Sequence, residues 1–432
     1  MKLKQRIEDF KVRELLEAGV LVERGEWRVY RVIKRKLTSI EAADALANEA
    51  GCGAGEVTMC GLKDRQGVTI QFMAIRRGKN VSIRADDLKV ETVGYCAEAL
   101  DSKSSAGNGF EVVVRGLSID DVARVKRNMQ VVRKGALINY FDDQRFGNLR
   151  HGQGWIALQL MLGDYEGALK ALLASESPHD DPRSATLKRA LLGSWNDWNS
   201  CRDIAGKFGS HHSVFEYLRS NPDDFAGAFY HVSSRLRLIH LYSYQSHVWN
   251  RAVAEYVRAH TTLEQRVVVD SEEGPLLYPE LDVALPAAHD ATFRLPGPEL
   301  ADVENEEQKA LLTDALALDR IVPAQFVING VSGFQLKGEE RALFVKPEHL
   351  RARPARPDTL NRGMTQIEVR FDLPRGAYAT LVLRRLLATP ASEHRQGGDS
   401  ESSDSGARGP NSERPRVDRY RQDTPRPMPT RF

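Results

Sequence analysis

The chain has 432 residues, room for two or three domains with cores of their own, and its 41% hydrophobic and 28% charged content is ordinary for a soluble globular protein. A net charge of +2 neither announces nor excludes nucleic-acid binding, which depends on how Lys and Arg cluster. Four cysteines (Cys52, Cys60, Cys96, Cys201) without a CxxC pair argue against a zinc site or a disulfide framework, and the histidines lack ligand spacing, so no metal is expected. With no apolar leader after Met1 and no run of about 18 apolar residues, a cytoplasmic protein without membrane span or secretory signal is expected.

Taken in order, the chain opens with a basic arm, Lys4 to Glu14, that carries one aromatic, Phe10. Residues 25–34 alternate apolar and cationic side chains, which predicts a half-exposed strand with Arg28 and Lys34 on its outward face. A helix capped by Ser39 follows, with Ile40, Ala43, Leu46, Ala47 and Ala50 at helical spacing and Gly51 as its stop. Val57 and Met59 then lead into a short turn, and Val68, Ile70, Phe72 and Ala74 alternate on the way out, which predicts two strands. At the tip of that turn Asp64 stands between Lys63 and Arg65. Nearby positive charge holds an aspartate ionised, available as a nucleophile or base. Asp and Gly are also standard turn residues, so the turn by itself favours the structural reading.

The pattern partly repeats: residues 110–115 form a strand entered through Gly107-Asn108-Gly109, and Ser118 with Asp121 starts a second helix whose stripe is Val122, Val125, Met129 and Val132. Two ferredoxin-like halves are expected, with helices on one face of a sheet and the other face open, a platform common among RNA binders. That is an analogy of fold, not a function. Next come Asn139-Tyr140-Phe141 and Gln144-Arg145-Phe146-Gly147. Phe can stack on a base, Asn or Gln can read a base edge and Arg can hold a phosphate; the same residues could equally plug an aromatic core. Helical periodicity dominates from about 151 to 350, including a long helix over 225–259 whose aromatics are expected in the core. A strand over 365–373 and a helix over 377–387 are expected to pack back onto the first sheet. From Pro390 the chain is rich in Ser, Gly, Pro, Asp and Arg, with too little apolar surface to offset its ordering entropy, and a disordered tail is expected.

These stretches together resemble the TruD family of tRNA pseudouridine synthases. The resemblance runs in order through Lys4 with Glu8-Asp9-Phe10, Gly61-Leu62-Lys63-Asp64, Gly107-Asn108-Gly109-Phe110, Asn139-Tyr140-Phe141 with Gln144-Arg145-Phe146-Gly147, Gln245-Ser246 with Trp249-Asn250, and Leu373-Pro374-Arg375-Gly376-Ala377-Tyr378-Ala379-Thr380. It implies an α+β fold: a pseudouridine-synthase catalytic domain of two ferredoxin-like halves sharing a mixed, mainly antiparallel sheet, split into 1–150 and 351–389. A mostly α insertion would occupy 151–350 and the tail 390–432. It further implies that a uridine in tRNA, at position 13, is isomerised without metal or cofactor. Asp64 would be catalytic, and Lys4, Glu8, Phe10, Asn139 and Phe141 would bind substrate, Phe141 by stacking on the flipped base and Lys4 by keeping Asp64 ionised. Lys63, Arg65 and Arg145 are the candidates for RNA contact, and a monomer is expected because one chain supplies the whole site. One departure from the family pattern is Asp142, a negative charge where glycine is common.

Two other classes compete. A non-catalytic RNA-binding or RNA-folding protein would keep the pocket's shape, but retention of Asp64, Lys4, Asn139 and Phe141 together argues against it. A metal-dependent nuclease built on Asp64, Asp142 and Asp143 lacks a convincing carboxylate cluster and ranks last.

Overall fold

The computed structural model describes residues 1–63, 65–149, 154–177, 180–206, 211–280, 283–328 and 338–391. Asp64 and the segment 392–432, which holds most of the expected tail, lie outside the described residues.

The chain enters through Phe10–Leu16 (β1) and Trp27–Arg35 (β2), crosses the helix Ser39–Ala50 (α1), and returns through Val57–Met59 (β3) and Val68–Arg76 (β4). Ser82–Arg84 (β5), Leu88–Cys96 (β6) and Ser105–Leu117 (β7) follow, then the helix Ile119–Val132 (α2) and Leu137–Ile138 (β8). The middle of the chain is a run of helices, Ile156–Met161 (α3), Tyr165–Leu173 (α4), Pro182–Gly193 (α5), Trp198–Ala205 (α6), His212–Ser220 (α7), Phe225–Ala228 (α8) and Ser234–Ala259 (α9). After them come Arg266–Val269 (β9), Leu276–Pro279 (β10), Thr292–Arg294 (β11), the helix Glu306–Ala317 (α10), Glu340–Ala342 (β12) and Phe344–Val345 (β13). Glu348–Ala352 (β14), Arg356–Pro357 (β15), Thr365–Pro374 (β16), Ala379–Leu387 (α11) and Thr389–Pro390 (β17) complete the described chain.

The main sheet runs β14-β16-β7-β1-β4-β2-β6-β5, with β15 beside β16 and β3 beside β4. β1 and β4 pair in parallel, Lys11 opposite Val68 and Arg13 opposite Ile70, while the other pairs described in this sheet are antiparallel. The sheet is therefore mixed and mainly antiparallel, and the α+β fold follows. The strand from late in the chain, β16, pairs with β7 from Thr365 opposite Leu117 to Pro374 opposite Gly107. Between them, β8 pairs with β13, Ile138 opposite Phe344, so the middle region leaves and re-enters at one place. A single buried cluster runs from Phe10, Val112 and Phe371 on the sheet through Leu383 and Leu386 of α11 to Trp249 and Phe293 of the middle region. Each such side chain contributes roughly 1.5–3 kcal/mol when fully buried. No helix among the described residues is long and apolar enough to cross a membrane.

Several local expectations change. The cap of α1 is Thr38, not Ser39: the Thr38 hydroxyl accepts from the Glu41 amide and the Glu41 carboxylate from the Thr38 amide, the reciprocal pair that defines a capping box. Lys34 does not face outward; it is 1% exposed, its ammonium donating to the carbonyls of Leu37 (2.9 Å) and Lys63 (3.3 Å). In β4 the most buried face holds Thr69, Gln71, Met73 and Ile75. β3 pairs with the far half of β4, Met59 opposite Met73, so the connection 60–67 is a loop and not a tight hairpin. Gly107-Asn108-Gly109 is not a turn but part of β7: a Cβ on Gly107, whose φ is 156°, would lie 2.1 Å from the Leu373 carbonyl oxygen, so glycine is required by the close approach of two strands. The helix expected over 225–259 breaks after Ala228 and restarts at Ser234, capped by Ser233. Pro390, the first residue of the expected tail, stands in a strand, where Thr389 and Pro390 pair with Val268 and Val267.

Candidate functional site

One residue in the loop 60–67 is fixed from every side. The Lys63 amide donates to the Ser39 hydroxyl (2.9 Å), its carbonyl accepts from buried Lys34 (3.3 Å), and its ammonium donates to the Asn108 amide oxygen (2.9 Å). The same ammonium lies 2.8 Å from the carboxylate of Glu14, whose other oxygen accepts from the Phe72 amide. Ser39 in turn donates to the buried Gln71 side chain (2.8 Å). Strands β1, β4 and β7 and the start of α1 thus hold the peptide that immediately precedes Asp64. Charge-assisted bonds between buried groups are the strong kind, so this backbone position is stiff.

Beside Lys63 opens a cleft of about 200 Å³ lined by Phe10, Val12, Leu62, Asn108, Phe110, Gln144, and Ala377 through Thr380. Its walls are three aromatic rings, Phe10, Phe110 and Tyr378, and its polar groups include two side-chain amides, Asn108 and Gln144. Phe110 meets Phe10 edge-on at 6.1 Å and stacks on Phe371 at 5.6 Å, which fixes the ring from behind. Tyr378 is the residue before α11 and makes no side-chain capping bond, so its ring is free to form a wall.

The expected site residues divide. Phe10 lines the cleft, with the Lys4 ammonium 4.3 Å from its ring centroid. Lys63 lines it too, but its charge is spent on Glu14 and Asn108 inside the protein. Glu8 is exposed and pairs with Arg35, away from the lining. Arg65 is exposed and donates to the Lys36 carbonyl (2.7 Å). Asn139 and Phe141 are 6% exposed and are not among the residues lining the cleft. Asn139 ties the junction of the middle region, its amide nitrogen donating to the Ala342 carbonyl (3.1 Å). Phe141 packs edge-on against Trp249 (5.6 Å) and Tyr378 (6.4 Å), and its backbone is held by both amide atoms of Asn250. Arg145 anchors to the Ser246 hydroxyl (3.2 Å). Asp142 is 1% exposed; burial raises its pKa against the pull of Arg384, whose guanidinium also pairs with Asp143 at 2.7 Å. The charge that departs from the family pattern therefore has a partner.

Sequence reasoning gave no role to Asn108, Phe110 or Tyr378, although each stands in a stretch that carries the resemblance. Glycines flanking Asn108 inside an otherwise strand-like run were the available signal of close packing. The open face of the sheet, expected to suit RNA, carries a ladder of paired charges instead: Arg370 bridges Glu111 (2.7 Å) and Glu368 (2.8 Å), Arg353 meets Glu368 (3.1 Å), and Asp372 meets His349 (2.9 Å). The aromatic cleft lies on the helix-covered side.

The fixed Lys63 beside a cleft walled by aromatic rings and edged with amides makes an arrangement that can hold a flat, hydrogen-bonding ligand. The profile of the family "tRNA pseudouridine synthase D (TruD)" matches residues 1–386, and the chain belongs to that family. It is 30% identical over 394 residues to "Probable tRNA pseudouridine synthase D 1" of Methanococcus maripaludis, covering 89% of this chain and 99% of the relative. It is 26% identical over 403 residues to "tRNA pseudouridine synthase D" of Aquifex aeolicus, covering 90% and 98%. The fold also matches a crystal structure of a Methanosarcina mazei protein that carries the name TruD, with TM-score 0.69 at 22% identity, covering 89% of this chain and 93% of that one.

Proposed function

We propose that the protein isomerises uridine to pseudouridine in tRNA, at position 13, with Asp64 as the catalytic group. The target base leaves its stack and enters the cleft, because its reacting atoms are unreachable in folded RNA. Phe10, Phe110 and Tyr378 offer it aromatic surfaces, worth roughly 1–3 kcal/mol per stacked base, and Asn108 and Gln144 offer hydrogen bonds to its edges. Asp64 then acts at the sugar, either by attacking C1′ or by removing a sugar proton. The C1′–N1 bond breaks, the base rotates, and a C1′–C5 bond forms. The proton from C5 is lost and N1 gains one, so the net change is an isomerisation that consumes no co-substrate. Phe141 acts behind Tyr378 as its support, a change from the stacking role expected for it.

The observation that carries this reading is the juxtaposition of the aromatic cleft with Lys63, whose backbone and side chain are both fixed one residue before Asp64. Residues 1–150 and 351–389 form the catalytic domain in this reading and 151–350 the insertion, with a monomer acting in the cytoplasm. The test of position uses unmodified tRNA transcripts with uridine or cytidine at position 13 and chemical mapping of pseudouridine. The expected result is one site, lost in the cytidine transcript; modification elsewhere on both transcripts would contradict the assignment of position.

A further inference from the structure

Two guanidinium groups behind Tyr378 have no carboxylate partner among the described residues. Arg341 on β12 lies with its guanidinium carbon 3.9 Å from the Phe141 ring centroid and 5.3 Å from that of Trp249. It donates to the carbonyls of Asn139 (3.0 and 2.8 Å) and Gly376 (2.9 Å), leaving Nη1 without an acceptor among the described residues. Arg145 lies 5.7 Å from the same Phe141 ring and 5.5 Å from that of Tyr242, and among the described residues only its Nε is used, by Ser246. Both charges therefore sit over one ring, closer together than a Debye length of about 10 Å.

Like charges this close, in a half-buried setting, repel unless an anion joins them. Three other arginines show what compensation by carboxylates looks like. Arg115 is held by Asp9 and Asp358, Arg384 by Asp142 and Asp143, and Arg251 by Asp319. Burial draws the pKa of Arg341 down to about 10, and the charge of Arg145 adds to that pull. Gln144, next to Arg145 in the chain, lines the cleft, as does Tyr378, whose phenol is influenced by both charges.

We infer that Arg145 and Arg341 form a phosphate subsite beside the cleft, behind its Tyr378 wall, holding an RNA backbone phosphate that flanks the nucleotide entering the cleft. The two Nη atoms of Arg145, without an acceptor among the described residues, match the fork geometry of a phosphate, and the rings beneath hold both guanidinium groups in place before the anion arrives. The inference rests on the proposed RNA-modifying activity for its ligand.

Its test compares binding of a short RNA hairpin containing the target uridine with the same hairpin made neutral at one linkage at a time by methylphosphonate substitution. For the wild type, neutralising one linkage beside the target weakens binding by about tenfold, as expected for losing a charge-assisted contact. Arg145→Gln binds the unaltered RNA about tenfold more weakly, is indifferent to that linkage, and has a log–log salt slope smaller by roughly 0.7–0.9. Arg341→Lys keeps the charge but loses the fork, and responds to the same linkage less than the wild type does. If every linkage costs wild type and both variants the same factor, the subsite is overturned; a variant that is merely less stable falls under this outcome, because the ratio between two RNAs is unchanged. A linkage-specific effect without pseudouridine formation upholds the subsite and removes the catalytic reading, while pseudouridine formation without the effect does the reverse.

Discussion

The Lys63 ammonium lies 2.8 Å from the Glu14 carboxylate and donates to Asn108 at 2.9 Å, so the cation next to Asp64 in the chain is turned inward. Its work is to hold the loop and to satisfy a carboxylate that is 2% exposed. Lys63→Met would leave Glu14 buried and uncompensated, a loss of about 3–5 kcal/mol of stability. Urea denaturation should show that loss, and Lys63→Met combined with Glu14→Gln should recover part of it. A stability within about 0.5 kcal/mol of the wild type, the range of ordinary surface changes, would instead put Lys63 on the RNA side.

Tyr378 and Phe141 should separate binding from folding. Tyr378→Ala removes a wall of the cleft and is expected to lower turnover by roughly ten- to a hundredfold, on the scale of a lost base stack, while leaving the melting temperature within a few degrees. Tyr378→Phe should retain most of the activity. Phe141→Ala removes a ring that is 6% exposed and should cost about 3–5 kcal/mol of stability. A stable Phe141→Ala protein with selectively lost turnover would return the stacking role to Phe141.

How much of this was legible in the sequence depends on the range of the forces involved. The periods of α1 and α2 and the cap of α2 are local, and they could be read directly. Thr38 and Ser39 are both capping residues; only the three-residue spacing from Thr38 to Glu41 distinguishes them. Lys34 looked outward because it is charged, yet besides the nearby Leu37 carbonyl its ammonium donates to a carbonyl twenty-nine positions along the chain, a contact no local pattern encodes. The stretches containing Asn108 and Tyr378 were visible as motifs, but which ring faces the cleft is set by how residues 377–380 meet Phe10 and Val12 of β1 and Phe110 of β7 across it, not by either stretch alone.

The buried network Asp9–Arg115–Asp358 joins the N-terminal arm to β7 and to the turn after β15, and it gives a pH prediction. Burial alone would raise the Asp358 carboxyl, but donation from the amides of Leu360 and Gly116 and from Asn361 and Arg115 outweighs it and holds the pKa well below the usual carboxylate range. A depressed folded-state pKa stabilises the fold above the unfolded value near 4, and that contribution is lost as pH falls below it. Melting temperatures of wild type and Asp358→Asn should therefore differ most near neutral pH and converge as pH drops below about 4. A gap that stays constant to the lowest pH at which both proteins fold would contradict this.

Ser39 offers a gentler probe of the loop. Ser39→Ala removes the acceptor for the part-buried Lys63 amide and the donor to the buried Gln71, at an expected cost of about 1–3 kcal/mol. Because the freed peptide adjoins Asp64, kcat should fall while KM for tRNA changes little. A rise in KM with kcat unchanged would mean that the loop binds RNA and does not position the catalytic group.

The most direct measurement concerns Asp64. Purified wild type and Asp64→Asn are incubated with tRNA lacking the modification, without added metal or cofactor, and pseudouridine is mapped chemically. The wild type is expected to form pseudouridine at a single position and Asp64→Asn none, with both proteins binding the tRNA equally well. Equal pseudouridine formation by the two proteins would contradict the account.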